Sequence, residues 1–213
     1  MTTESQLPAR DAYHHGDLRR TLIDVGLELA RHGGPDAVVL REATRRAGVV
    51  PNAAYRHFAD RQALLHAVCS AAISRVALAI ETELARVPAG LDRAATARRR
   101  LRAVGTGYVQ FARAEPGLFR TAFSVPTDLR DISSPDRGGA GGLSPFRLLG
   151  AVLDELVEVG VLPAERRPGA EFLAWSAVHG LAVLLTGGPL RGHDEAQANE
   201  VLRRLLDMVD HGL

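Results

Sequence analysis

Residues 39–58 read VLREATRRAGVVPNAAYRHF, two short helical patterns joined by a glycine. In the first, Leu40, Ala43 and Ala47 recur at helical spacing and predict a buried face, with Arg41, Glu42, Arg45 and Arg46 on the other side. Gly48 takes at no steric cost the left-handed backbone that stops a helix. Pro51 suits the first position of the next helix, which needs no amide hydrogen. Asn52, Ala53, Tyr55, Arg56 and His57 follow before Phe58 returns to the core. Side chains suited to base edges and side chains suited to phosphate therefore share one face, the layout of a helix-turn-helix that enters DNA.

Outward from this stretch the chain reads as helices throughout. A first helix is expected from about Asp17, an acidic residue suited to a helix N-terminus, with Leu18, Leu22, Val25 and Leu29 as its apolar stripe and Gly33 and Gly34 as its stop. A fourth opens near Asp60 and runs to about Val87, ahead of Pro88. A fifth spans about Ala94 to Ala114 and carries Arg98, Arg99, Arg100 and Arg102 on its early turns. That charge run reads as a solvated face in preference to a DNA contact, because it lies far in sequence from the reading helix. Pro116 opens a short segment with Leu118, Phe119 and Phe123. Ser133, Ser134 and Pro135 with the cluster Gly138, Gly139, Gly141 and Gly142 read as a mobile linker, and a helix from Pro145 to Val159 follows. No strand pattern competes. The segment 172–185 is apolar nearly all round, which a helix tolerates only when covered on most sides. The last segment, 195–209, carries Ala198, Leu202, Leu205 and Val209 as one stripe, widened by Val201, Leu206 and Met208 enough to serve a core and a partner chain.

At 213 residues and 46% hydrophobic, the chain can bury one or two sizeable cores. Nothing in it reads as a signal peptide or a bilayer span: the longest apolar run, 172–185, is short and interrupted by Ser176 and His179. A single cysteine, Cys69, suits the cytosol. It reads as a small core hydrophobe rather than a redox sensor, since nothing basic flanks it to lower its pKa. All 26 basic residues are arginine. Without lysine neither a P-loop nor Schiff-base chemistry is available, and there is no Ser-His-Asp elbow, no HExxH and no carboxylate pair in an apolar setting. An enzyme is not expected. Nor is a metal or cofactor, since no His, Cys, Asp or Glu stands three or four residues from His179, the spacing helical metal sites use. The formal net charge is only +1, yet within residues 41–61 five arginines stand against Glu42 and Asp60 alone.

The motif closely resembles the helix-turn-helix of TetR-type bacterial transcriptional regulators, whose second helix closes on Tyr-x-His-Phe, here Tyr55-Arg56-His57-Phe58. Tyr13-His14-His15-Gly16-Asp17-Leu18-Arg19 resembles the arm and first-helix start of one branch of that family, and Asp60-Arg61-Gln62-Ala63-Leu64-Leu65 resembles the family's fourth-helix opening. Trp175, His179 and Gly180, in AWSAVHG, resemble the Trp-His-Gly signature of that branch's C-terminal domain. The resemblance implies an all-α fold with a flexible arm over residues 1–14, a three-helix DNA-binding domain over 15–76 and a larger helical ligand-binding and dimerisation domain over 77–213. It implies a cytoplasmic, ligand-responsive repressor that binds a palindromic double-stranded operator as a homodimer paired through the last two helices. Release would follow binding of an apolar or amphipathic small-molecule effector. A helical ligand-binding or interaction module without DNA function is the alternative. The chain departs from the family where Val39 and Val50 replace the usual Ser or Thr. Each motif helix then forgoes a cap worth roughly 0.5–2 kcal/mol, and the capping box that Glu42 would complete is missing.

Tyr55 and His57, two apart at the end of the reading helix, are expected to bond phosphates, a half-buried core tyrosine being the other reading of Tyr55. Asn52 and Ala53 are expected to read bases, adenine by the amide and thymine by the methyl group. Arg41 and Arg56 compete for a guanine edge, and either suits a phosphate equally. Arg61 is expected as a further phosphate clamp. Arg10, His14 and His15 form either an arm that reaches DNA or a frayed tail. For the cavity that the resemblance implies, Tyr108, Phe111, Phe119, Phe123, Phe146, Trp175 and His179 are the large or polar-tipped side chains suited to its lining. His179 stands foremost, because a histidine in so apolar a helix requires a hydrogen-bond partner.

Overall fold

The structure, a computed structural model, describes residues 18–90, 92–126 and 128–213. The expected arm over residues 1–14 and the helix start at Asp17 lie outside the described residues. Regular structure among those residues is entirely helical: α1 (Leu18–Gly33), α2 (Leu40–Ala47), α3 (Pro51–Tyr55), α4 (Arg61–Ala85), α5 (Arg93–Ala114), α6 (Pro116–Ala122), α7 (Leu129–Ile132), α8 (Pro145–Glu158), α9 (Ala170–Thr186) and α10 (Glu195–Gly212). Single 3-10 turns lie at Pro35–Ala37, Pro135–Arg137 and Ala164–Arg166.

The apolar stripes of the first helices face the core, with Leu18 and Val25 only partly buried against it. Leu22, Leu29, Leu40, Ala43, Ala47 and Phe58 are all buried, and α1, α2 and α3 close around them. Helix α4 then runs from this small unit into the larger one. Its Val68 meets α1 at Gly26, while Ala79 and Ile80 meet α5 at Gly107, where an added Cβ would stand 2.8 Å from the α4 backbone. Glycine at 107 thus lets the two helix backbones touch. By length and composition alone α4 would span a bilayer, but its sides are taken by α1, α5, α6 and α8. One buried cluster therefore extends from α1 to α10.

Two expectations change. The serine, proline and glycine segment is fastened rather than a mobile linker: Ala140 N–H and Gly141 N–H donate to the Glu81 carboxylate at 2.8 and 2.9 Å, and Ser74 Oγ donates to the Asp136 carbonyl at 3.1 Å. The charge run on α5 is solvated only at Arg99, which is exposed, while its other three arginines make interhelical ties. Arg98 and Arg102 bond Asp210 of α10 at 2.5 and 3.1 Å, and Arg100 pairs with Glu155 of α8 at 3.0 Å. Within the single chain, helix α9 leaves Phe172, Leu173, Val183 and Leu184 exposed, and α10 beside it leaves Met208 exposed.

Most long helices are capped by their own sequence. Asp60, Asp92 and Ser144 accept from the third backbone amide of α4, α5 and α8, and Asp194 closes a reciprocal capping box with Gln197 on α10. Neither Val39 nor Val50 provides such a bond, although both hold the extended backbone that a cap requires. Val50 is 69% exposed and Val39 40%, so little burial opposes a polar replacement at position 50. Val50→Ser is expected to raise stability by roughly 0.5–2 kcal/mol and Val39→Ser by less, read by thermal unfolding. A lower melting temperature for Val50→Ser would show that the valine packs and that the start of α3 needs no cap.

Candidate nucleic-acid interface and internal cavity

Gly48, at φ 69° and ψ 26°, ends α2 with its N–H turned back onto the Arg45 carbonyl, and three residues later Pro51 opens α3. The second helix is short. After Tyr55 the chain turns, with the amides of His57 and Phe58 both donating to the Ala54 carbonyl at 2.9 Å. Phe58 then enters the core, and the Arg19 guanidinium lies over its ring at 5.4 Å. This geometry gathers Asn52, Tyr55, Arg56 and His57 on one exposed face with Ala53 partly covered beside them, and Arg41 is exposed on α2. Tyr55 is 53% exposed, too open for a core tyrosine.

Much of the positive charge on this face is engaged within the protein. Arg45 and Arg46 both turn onto Glu42, at 2.7 Å each, and these two guanidinium groups hold its carboxyl at about 2, well below the usual carboxylate range. Arg61, expected to clamp phosphate, instead donates from Nε to the Val38 carbonyl and from Nη2 to the Pro35 carbonyl, both at 2.9 Å. It ties the start of α4 to the turn that leads into α2. Arg41 and Arg56 remain without an ion pair among the described residues.

In the larger unit α4, α5, α8, α9 and α10 surround a cavity of about 280 Å³. Its walls are mostly aliphatic, with Ile73 and Ile80 from α4, Leu101 and Val104 from α5, Leu149 from α8, Val178 from α9 and Leu206 and Val209 from α10. Of the aromatic candidates, Tyr108, Phe123, Phe146 and Trp175 line it. Phe111, Phe119 and His179 stand outside the lining. Phe119 is buried edge-on against Tyr108, with centroids 5.7 Å apart, and Phe111 is a buried residue of α5. His179 is placed behind Tyr108, whose hydroxyl is 2.8 Å from Nδ1.

That contact supplies the partner His179 requires. Trp175 Nε1 lies 3.2 Å from the Tyr108 oxygen, and an indole N–H can only donate. The phenolic proton is then left for His179 Nδ1, so the three side chains form one chain of donors: Trp175 to Tyr108 to His179. Burial sets the charge states. It pushes the Tyr108 phenol well above its ordinary value, against the weaker opposing pull of the Trp175 bond, and it lowers the His179 imidazole below 6.5. Both groups are neutral near pH 7.

Residues of the cavity that carry no sequence signal are Arg102, Arg137 and the segment Val125, Pro126 and Ile132. The one available hint was an arginine inside an otherwise small and flexible run, Ser-Ser-Pro-Asp-Arg-Gly-Gly.

The family model described as "Bacterial regulatory proteins, tetR family" matches residues 22–68, and the one described as "Tetracyclin repressor-like, C-terminal domain" matches residues 101–209. A comparison with curated proteins finds no match. Among solved structures, a Rhodococcus protein of unknown function is 28% identical, with 96% of this chain and 99% of that one covered and a TM-score of 0.73. A TetR family transcription regulator from Marinobacter aquaeolei is 20% identical over 91% of this chain and 93% of that one, with a TM-score of 0.61. The Bacillus subtilis transcriptional regulator FadR, solved with stearoyl-CoA, is 14% identical over 91% and 98% of the two chains, with a TM-score of 0.63. The last two likenesses are of fold.

The neutral His179 makes stability depend on pH with a definite sign. The unfolded imidazole takes its proton near 6.5, whereas the folded one takes it at lower pH. Stability from this group is therefore complete above about pH 6.5 and is lost as pH falls through the folded value. Denaturant unfolding of wild type and His179→Gln across that range is expected to show the wild-type advantage shrinking below pH 6.5. An advantage independent of pH would contradict the buried neutral imidazole.

Proposed function

The chain belongs to the TetR family of bacterial regulatory proteins and is a DNA-binding transcriptional regulator; from that premise we propose that it is a repressor that grips a palindromic operator as a homodimer and is released by a small molecule. The observation that carries the reading is the exposed face of Asn52, Tyr55, Arg56 and His57 held between a left-handed glycine turn and a buried phenylalanine. Asn52 and Ala53 at the start of α3 take base edges, Tyr55 and His57 at its end take phosphates, and Arg41 and Arg56 flank them with unpaired charge. Family regulators are generally non-enzymatic.

Residues 15–76 serve as the DNA-binding part, and 77–213 as the ligand-binding and dimerisation part. Pairing through α9 and α10 is favoured by the apolar side chains those helices leave bare, Phe172, Leu173, Val183, Leu184 and Met208, because a helix apolar on every side is stable only when covered. A two-fold pair sets two reading helices about one helical turn apart, roughly 34–36 Å. The internal cavity takes the effector, an apolar or amphipathic molecule, as FadR's structure holds stearoyl-CoA. Since Ile73 and Ile80 of α4 wall the cavity and Arg61 at the same helix's start holds the reading motif, an effector that favours another tilt of α4 changes the separation of the two reading helices. Coupling of this kind is typically about 1–3 kcal/mol and acts equally in both directions.

Mobility shift with DNA from the protein's own upstream region tests the reading. Tyr55→Phe and His57→Ala are each expected to weaken binding to every sequence alike, by roughly 1.5–3 kcal/mol for a hydrogen bond to a charged group. Asn52→Ala is expected to relax preference at one base position, by about 1–3 kcal/mol. Wild-type affinity in both Tyr55→Phe and His57→Ala would move the DNA contact elsewhere and favour a helical binding module without DNA function.

A further inference from the structure

The end of the reading motif is approached from α1 as well as from its own helices. Arg19, in the first turn of α1, carries its guanidinium carbon over the ring of Phe58, 5.4 Å from the centroid. Phe58 is buried, while His57 and Arg56 just before it are exposed. Consecutive Cα atoms lie only about 3.8 Å apart, so the Arg19 cation stands at the edge of the exposed face that Tyr55 and His57 close.

How an arginine is held decides what it has left to give. Three arginines around the motif are held through hydrogen bonds: Arg45 and Arg46 donate to the Glu42 carboxylate, and Arg61 donates to the carbonyls of Val38 and Pro35. Arg19 is held differently. Attraction between a cation and an aromatic ring works through the quadrupole of the ring face and takes up none of the five N–H donors of the guanidinium. Arg19 is exposed and makes no hydrogen bond and no ion pair among the described residues. Asp24, which lines the same groove between α1 and α4, stands 3.9 Å from Arg20 instead. The charge and the donors of Arg19 therefore stay at the surface, on a side chain positioned by a ring that is itself locked in the core.

We propose that Arg19 is a phosphate contact of the DNA-binding face, in the role that the sequence assigns to Arg61, whose Nε and Nη2 are engaged by backbone carbonyls. This rests on reading the exposed face of α3 as the surface that meets DNA. Arg19 and His57 then grip the DNA backbone from two helices, with Phe58 between them. The edge of a guanidinium takes a phosphate through two parallel hydrogen bonds, and the ring beneath it fixes where that phosphate lies. Such a contact sets the register of the motif on the duplex and carries no sequence preference.

Salt dependence measures it, because each phosphate that a protein neutralises releases condensed cations and adds about 0.9 to the slope of log affinity against log salt. A phosphate contact needs no operator, so the probe is a fluorescein-labelled DNA duplex of mixed sequence, titrated by anisotropy with the full chain over a series of sodium chloride concentrations. Arg19→Gln is expected to weaken binding several-fold at low salt and to reduce the slope by about 0.9, whereas Arg19→Lys keeps the slope of wild type. Arg20→Gln makes the same change of net charge one residue away, on the arginine beside Asp24, and is expected to leave the slope unchanged. Lost stability lowers affinity without removing one ion from the slope, so a merely structural role does not imitate this result. An Arg19→Gln slope equal to that of wild type overturns the proposal and leaves the DNA-binding reading standing. The same drop in Arg19→Lys, or in Arg20→Gln, overturns it too, the first by separating the effect from the charge and the second by separating it from the place. Failure of wild type to bind the duplex at low salt overturns the DNA-binding reading itself, and this proposal with it.

Discussion

A helix without proline or glycine resists sharp bending, because a kink opens its ladder of backbone hydrogen bonds, and α4 is such a helix for all 25 of its residues. Everything else in the molecule is arranged around that rod. Its first residues are fixed by the Asp60 cap and by Arg61, which reaches back to the carbonyls of Pro35 and Val38 and so sets where α2 begins. Its later turns wall the cavity with Ile73 and Ile80 and hold the Arg137 segment through Ser74 and Glu81. The helix-turn-helix and the cavity are thus attached to opposite parts of one stiff body, which is the basis of the proposed coupling between them.

Arginine serves this architecture more than it serves DNA. An all-arginine basic set with a formal charge of +1 suggests a chain whose charge is concentrated where nucleic acid lies. In the folded protein several of those groups join helices instead. Arg31 meets Glu115, just ahead of α6, through Nε at 2.9 Å; Arg167 spans Asp154 and Glu171; Arg98 and Arg102 converge on Asp210, whose side chain is only 5% exposed. The exposed pairs among them are individually worth little, but the Asp210 carboxylate is buried and would be costly to leave alone. With Arg45 and Arg46 held by Glu42, the exposed face of α3 presents hydrogen-bonding groups together with Arg41 and Arg56, which make no ion pair among the described residues.

The helix-turn-helix was legible because its signals are local: a glycine for the left-handed turn, a proline at a helix start and a period of apolar residues, all within twenty positions. The long helices were legible for the same reason, down to the opening of α4 near Asp60. Function at a distance was not. Arg61 finds its acceptors 26 and 23 residues back along the chain, and Arg98 and Arg102 find Asp210 more than a hundred residues on, separations that no periodicity encodes. The need of His179 for a partner was readable, but the identity of that partner, Tyr108, 71 residues away, was not. Among the aromatic residues, composition alone does not separate Phe123, which faces the cavity, from Phe119, which packs behind it at 5.2 Å. The rotation of α6 against α5 decides that. Glycine-rich sequence suggested mobility, yet the same small residues let backbone amides approach the Glu81 carboxylate closely enough to be held by it.

The stiffness of α4 is tested most directly by the distance between the two reading motifs of a dimer. Val50 is exposed beside α3, so Val50→Cys in a Cys69→Ser background places one nitroxide label on each motif for pulsed electron spin resonance. Without a guest in the cavity, the expected distance distribution is narrow and compatible with successive major grooves, roughly 34–36 Å between motif centres. Saturating the cavity with a tightly bound guest is expected to shift that distribution by several ångströms as a unit, without broadening it into disorder. An unchanged distribution with the guest bound would contradict the claim that α4 carries the state of the cavity to the DNA face.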